Sequence, residues 1–301
     1  MLRNARYGFK TLHNIQKANF GANEKSIKLR MKSVGSIQKI TKAMKMVAAS
    51  KMRADLLRLE QGKEFGIRTV QNVFANESYL QKKRQDAPPA KKSLLVPITS
   101  DKGLCGGVNS GIVREIKNMV FANRGAYKIF AIGEKGTTAL VRPFPDLLVS
   151  SISEIIYPIN FTVTSSIAHQ ITLAAEEEHC DNAIIVYNEF KSAIASIIRK
   201  LEIMSRKQFL STFKHVVRHD TEEPDKDFSQ HYYYELYVAG QFYHAMLQNA
   251  ASEQSARMNA MENASKNAKE MLEKLSLTYN KARQARITME LVEIISGANA
   301  L

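Results

Sequence analysis

The sequence predicts a small central α/β domain flanked by two long terminal helices that form a stalk as an antiparallel coiled coil. Three observations carry that prediction. All seven prolines (Pro88, Pro89, Pro97, Pro143, Pro145, Pro158 and Pro224) lie between residues 88 and 224, so both flanks lack the strongest helix breaker. Each flank repeats apolar or small residues at alternating steps of three and four, which lays one stripe along a helix. Between the flanks, short apolar runs alternate with helical stretches, the pattern of a largely parallel sheet covered by helices.

Taken in order, residues 1–22 form the first segment. Arg3, Arg6, Lys10 and Lys17 occur there with no acid before Glu24, among Tyr7, Phe9, Leu12, Ile15 and Phe20. That composition fits a mitochondrial import presequence, against the plainer reading of a basic tail. Residues 23–87 supply the N-terminal coiled-coil helix, with a stripe of Ile27, Met31, Val34, Ile37 or Gln38, Thr41, Met44 and Val47. Residues 88–224 form the Rossmann-like α/β domain. Strands are expected at 93–99, 127–132 and 182–187, and helices near 109–123 and 165–179. Residues 225–301 supply the C-terminal helix, which holds only Gly240 and Gly297 and is rich in good helix formers. Its stripe is Met258, Met261, Ser265, Ala268, Leu272, Leu275, Tyr279 and Ala282. A helix from Tyr232 to Ser296 spans roughly 100 Å at ~1.5 Å per residue, twice the ~50 Å width of a compact chain of this size.

The net charge of +14 is unevenly placed. Residues 24–60 hold ten basic and three acidic side chains, whereas residues 231–301 hold seven of each. A basic helix suits nucleic acid, but from Glu24 to Gly62 there is no aromatic residue to stack on a base. An acidic protein surface is the better partner, with a nucleic-acid-binding coiled coil as the alternative. No uncharged apolar run reaches the ~20 residues of a bilayer span.

No catalytic centre emerges. A G-x-x-x-x-G-K-[ST] phosphate loop is absent. Gly103-Leu-Cys-Gly106-Gly107 follows a strand and opens a helix, where an anion could sit, yet its spacing is not G-x-G-x-x-G and a tight turn of small residues is the better explanation. Cys105 within it could be a nucleophile activated by the helix start, or simply a small buried residue. His215 and His219 share a four-residue step without the glutamate of a zinc-protease motif. No cofactor or metal site is expected. After Arg286 no basic residue remains, and Ile287, Met289, Leu291, Val292, Ile294 and Ile295 spread around the helix, an apolar tip that calls for a sleeve.

Four stretches carry a resemblance. They are Ile37-Gln-Lys-Ile-Thr-Lys-Ala-Met-Lys-Met-Val-Ala-Ala-Ser-Lys51, the turn Ser100-Asp-Lys-Gly-Leu-Cys-Gly106, the run A-S-E-Q-S-A-R-M-N-A-M-E-N-A-S-K-N-A from Ala251, and I-T-M-E-L-V-E-I-I-S-G-A-N-A from Ile287. From about Asn23 to Leu301 the chain resembles the gamma subunit of F-type ATP synthase, in its mitochondrial form. The resemblance implies a central rotor subunit, without a catalytic site of its own, that couples rotation of the proton-driven c-ring to the beta-subunit catalytic sites. Implied partners are the alpha, beta, delta and epsilon subunits and the c-ring, on the matrix side of the mitochondrial inner membrane. Matching positions imply beta-subunit contact or coupling roles for Met44, Arg257, Arg283, Gln284 and Thr288. They also imply an enclosed tip at Ile287, Leu291, Ile294 and Ile295, and a c-ring-facing foot at Asp220, Glu222 and Glu223. Asn299 departs from the small apolar residue usual there. Without an extra cysteine pair, a thiol switch is not expected.

Overall fold

The computed structural model describes residues 2–63, 92–210 and 226–299, with side chains over 24–63, 92–210 and 231–299. Helix α1 runs Leu2–Lys63 and the last helix, α5, runs Lys226–Ala298. Between them lie β1 (Ser93–Pro97), α2 (Val108–Ala122), β2 (Tyr127–Ile132), α3 (Glu134–Val141), β3 (Leu148–Ile152), α4 (Phe161–Glu177), β4 (Asn182–Phe190) and β5 (Ser196–Met204). The chain separates into two units. One comprises Met1–Met46 with Met261–Leu301, and the other Val47–Ala260.

In the first unit α1 and α5 pair antiparallel. Lys45 meets Glu262 at 3.2 Å and Glu24 meets Arg286 at 3.1 Å, so rising numbers on one helix face falling numbers on the other. Ile27, Met31, Val34, Thr41 and Met44 turn away from solvent, as the stripe requires. Gln38 is the half-buried member of the Ile37/Gln38 choice, and Ile37 stands out in solvent. Val47, expected in the stripe, is 57% exposed; Ala48 is buried in its place, one step further round the helix. On α5 all eight stripe residues are buried or half-buried. Because small residues and a threonine interrupt the stripe, the helices can approach closely while burying little apolar area.

The second unit is built on a five-stranded mixed sheet of order β3-β2-β1-β4-β5. β1 pairs in parallel with β2 and β4, β2 pairs in parallel with β3, and β5 returns antiparallel along β4. Alternation along the central strands feeds two cores. Leu94, Val96, Phe130, Ile132, Ile185 and Tyr187 face α4 and α5. Leu95, Ile129, Ala131 and Val186 face Ile112, Ile116 and Val120 of α2, with Leu140 of α3 and Phe144 closing that layer.

The β2–α3 turn depends on close backbone approach. Gly133 has φ +90, and a Cβ there would lie 2.2 Å from the Thr99 carbonyl oxygen. Thr99 in turn donates from Oγ1 to Ile132 O at 2.7 Å and accepts from Gly136 N at 2.9 Å. Gly133→Ala is therefore expected to destabilise this unit by about 3 kcal/mol. Gly125→Ala, where nothing lies within 4 Å, changes stability by less than about 0.5 kcal/mol. Urea denaturation of the two variants measures the difference.

Candidate functional site

The motif-bearing segment of α5 is fastened into its unit by two polar rows. One row faces the end of β4 and the β4–β5 turn, where backbone groups need partners. Phe190 N donates to Gln248 Oε1 at 2.9 Å, and Asn188 donates through N and Nδ2 to Asn249 Oδ1 at 3.2 and 3.0 Å. Ser252 donates to Asn188 O at 3.0 Å, while Ser255 and Asn259 both donate to Ala193 O at 2.7 Å. Residues 248, 252, 255 and 259 recur at steps of four, three and four, so they occupy one helix face.

Arg257 leads the other row. Its guanidinium donates to Glu253 Oε1 at 2.5 Å, to Gln254 Oε1 at 3.0 Å and to Lys102 O at 3.4 Å. Two sequence motifs far apart in the chain, 100–106 and the run from Ala251, thus meet through one arginine. The 100–106 turn is itself braced: Asn109 accepts from Ser100 N at 3.0 Å and donates to Ser100 Oγ at 2.7 Å and to Cys105 Sγ at 3.1 Å. Leu104 and Gly106 both take φ +62. Cys105 is buried inside this turn and serves its hydrogen bonding.

Close by lies an arrangement that the motifs did not announce. Asp55 of α1 is 2% exposed; its carboxylate accepts from Tyr157 Oη and, at 2.8 Å, from Arg58 Nη1. Lys51 stands 5.6 Å from the centre of the Tyr157 ring. Burial raises the Asp55 carboxyl above its ordinary 3.8, against the lowering pull of Tyr157 and Arg58. It raises Glu253 above 4.5 against Arg257, with Asp101 and Asp55 adding repulsion. Burial and the bond to Asp55 likewise hold the Tyr157 hydroxyl above its ordinary value, so it stays a donor.

The residues singled out from the sequence fall in different places. Met44 is half-buried on α1, and Arg257 sits in the row just described. Arg283, Gln284 and Thr288 are exposed on α5, where Thr288 Oγ1 only donates to Gln284 O at 3.0 Å. Ile287, Leu291, Ile294 and Ile295 are exposed as well. Asp220, Glu222, Glu223, His215 and His219 lie outside the described residues. Among the described residues no group of His, Cys, Asp and Glu could hold a metal ion, and no helix is long and apolar enough to cross a membrane.

The paired carboxyls give a signed pH dependence. A folded-state pKa above the unfolded value means the folded chain holds the proton more tightly. The stabilisation is complete below the unfolded value and is lost as pH rises through the raised one. The stability of the wild type relative to Asp55→Asn is therefore expected to increase as pH falls through the range just above 3.8. Tyr157→Phe leaves a buried acceptor one donor short and should cost about 1–2 kcal/mol at neutral pH. Denaturant titrations at stepped pH read both effects.

A family model described as ATP synthase matches residues 23–301. The mitochondrial ATP synthase subunit gamma of Drosophila melanogaster is 38% identical over 281 residues, covering 93% of this chain and 91% of that protein. The ATP synthase gamma chain of Pelagibacter ubique is 37% identical over 286 residues, covering 91% and 98% respectively. Among solved structures, a chain of the central stalk and c-ring of the Tetrahymena thermophila mitochondrial ATP synthase is 51% identical with a TM-score of 0.68. That match covers 75% of this chain and 99% of that one. A chain of the Euglena gracilis mitochondrial ATP synthase, 21% identical, shares the fold at a TM-score of 0.77 over 93% and 95% of the two chains. With a family match over residues 23–301 and gamma chains 37% and 38% identical over more than nine-tenths of its length, this chain belongs to the ATP synthase gamma-subunit family.

Proposed function

We propose that the chain is the central-stalk rotor of a mitochondrial F-type ATP synthase. It carries c-ring rotation to the beta-subunit catalytic sites and has no catalytic site or bound cofactor of its own. Relatedness to gamma chains along the whole length carries this reading. A solved relative is drawn from a mitochondrial central stalk with its c-ring, which supports the c-ring as partner and the mitochondrion as location. Alpha, beta, delta and epsilon subunits complete the proposed assembly, peripheral to the matrix side of the inner membrane, with residues 1–22 as the import segment. Asp220, Glu222 and Glu223 are the proposed c-ring-facing foot. None of the compared proteins supports the nucleic-acid alternative.

The mechanism follows from the surface of the helix pair. Ile287, Leu291, Ile294 and Ile295 offer nondirectional apolar contact, which holds a tip in a sleeve without fixing its angle. Arg283, Gln284 and Thr288 are exposed at the adjoining turns, where they can make transient polar contacts. Exposed pairs of that kind are individually worth about 0–1 kcal/mol, weak enough to be exchanged at each step. An asymmetric shaft then presents a different face to each of three identical beta subunits. Their equilibria shift in turn, a population change driven by a rotating ligand.

Met44→Lys adds a cation to a half-buried position on α1. It is expected to lower ATP-driven proton pumping at least about tenfold while helix content is kept, since tenfold corresponds to only about 1.4 kcal/mol and a misplaced charge at an interface can cost several kcal/mol. Pumping at wild-type efficiency in the purified complex would contradict the coupling role. Leu291→Asp with Ile294→Asp should spare co-purification of the other central-stalk subunits and weaken retention by the alpha–beta ring, as scored by subunit ratios on a native gel.

A further inference from the structure

One groove lies outside everything assigned above. It is an open groove between α2 and α3 with room for about 560 Å³ of water, lined by Val113, Arg114, Lys117 and Phe121 from α2 and Lys135 and Ala139 from α3, with the polar Asn109, Ser110 and Asn118 beside them. Positions 113/114, 117 and 121 recur at helical spacing, so these side chains share one face of α2. The adjoining face carries Ile112, Ile116 and Val120 into the core, and Val113 sits at the boundary between the two, itself buried.

Two features of the groove are unsatisfied. Phe121 is 73% exposed although its ring meets Phe144 edge-on at 5.4 Å, so its outer face has no cover among the described residues. Glu115, the only acid on α2, is drawn away by Lys200 at 2.6 Å, and Arg114 and Lys117 have no anionic partner among the described residues. Lys135 reaches only its neighbour Glu134, at 3.9 Å. Three cations therefore surround a largely apolar floor in a part of the chain, residues 61–230, whose remaining charges balance at 19 basic to 19 acidic.

We propose that this groove docks an acidic protein segment carrying at least one large apolar residue. Carboxylates would pair with Arg114, Lys117 and Lys135 at the rim, and the apolar residue would cover Phe121. A polyphosphate chain would answer the cations and leave the phenylalanine in water. An apolar anchor ringed by charge is the arrangement of a protein–protein contact. This docking is independent of the rotor reading, which the pumping assays above decide separately.

The test uses the purified full chain. The probe is a short fluorescent peptide of aspartates and glutamates around one leucine–phenylalanine pair, carrying a photoreactive diazirine. Salt-sensitive binding is expected, with cross-links mapping to residues 109–121 and 135–139. Arg114→Glu with Lys117→Glu should weaken binding at least about tenfold, and Phe121→Ser about fivefold. Arg114→Gln, the milder change, should give a smaller loss of the same sign, with circular dichroism confirming that each variant keeps its helix. The equally charged change Lys39→Glu with Lys42→Glu on α1 should leave the α2–α3 cross-links intact. The proposal is overturned if the α2 reversals leave cross-linking unchanged or the cross-links map elsewhere. It is also overturned if a single-stranded oligonucleotide or a phosphatidylserine vesicle displaces the peptide from the groove more effectively than unlabelled peptide does.

Discussion

One stretch of helix, residues 234–255 of α5, sets the terms for its unit, because it is buried on nearly every side. Tyr234, Tyr237, Val238, Phe242 and Met246 enter the core beneath the sheet, while Ala250, Ala251, Asn249, Ser252, Gln254 and Ser255 are just as inaccessible. A helix enclosed all round cannot keep a polar face for solvent, so every buried polar side chain needs a partner inside. The Gln248–Asn259 row meets that demand by capping the loose end of β4 and the turn after it. The helix thereby fixes the hairpin, and the hairpin fixes the helix.

The same enclosure explains why acids gather at Asp55 and Glu253. Removing carboxylates from water is costly unless hydrogen bonds and opposite charge offset it. Here Tyr157, Arg58 and Arg257 supply those partners. Segments 51–58, 100–106, 153–160 and 253–257 are thus held by interactions whose geometry is strict. The helix pair of the other unit is held by a thin stripe with few large side chains. Resistance to local opening should differ accordingly along one and the same helix.

Much of this organisation is readable from residue order. The α5 stripe from Met258 to Ala282 follows from spacing alone, because long uninterrupted periodicity outweighs local noise. On α1 the spacing placed Val47 in the stripe, whereas the helix buries Ala48, one residue on, so the phase has drifted by that point. β3, with Ser150 and Ser151 on an edge, and β5, with Arg199, Lys200 and Glu202 along it, lack the apolar run that marked the central strands. α3 is eight residues long, too short for a period to show. The 100–106 turn was legible as a turn, but its bond to Arg257 spans 155 residues and has no local signature. Asp55 was the missed clue: it falls at the buried phase of α1, seven residues after Ala48, where an acid is out of character.

The bare isoleucines and leucine near the end of α5 also bear on how the chain is made and kept. A newly synthesised copy that has reached its folded form still displays Ile287, Leu291, Ile294 and Ile295 to water. Surfaces of that kind bind chaperones and one another. A copy with this tip left bare therefore offers the kind of surface that holding and degradation machinery takes up. With the tip seated as proposed above, supply of this chain has to match supply of the subunits that form its sleeve, so the end of one helix would link abundance to the pace of assembly.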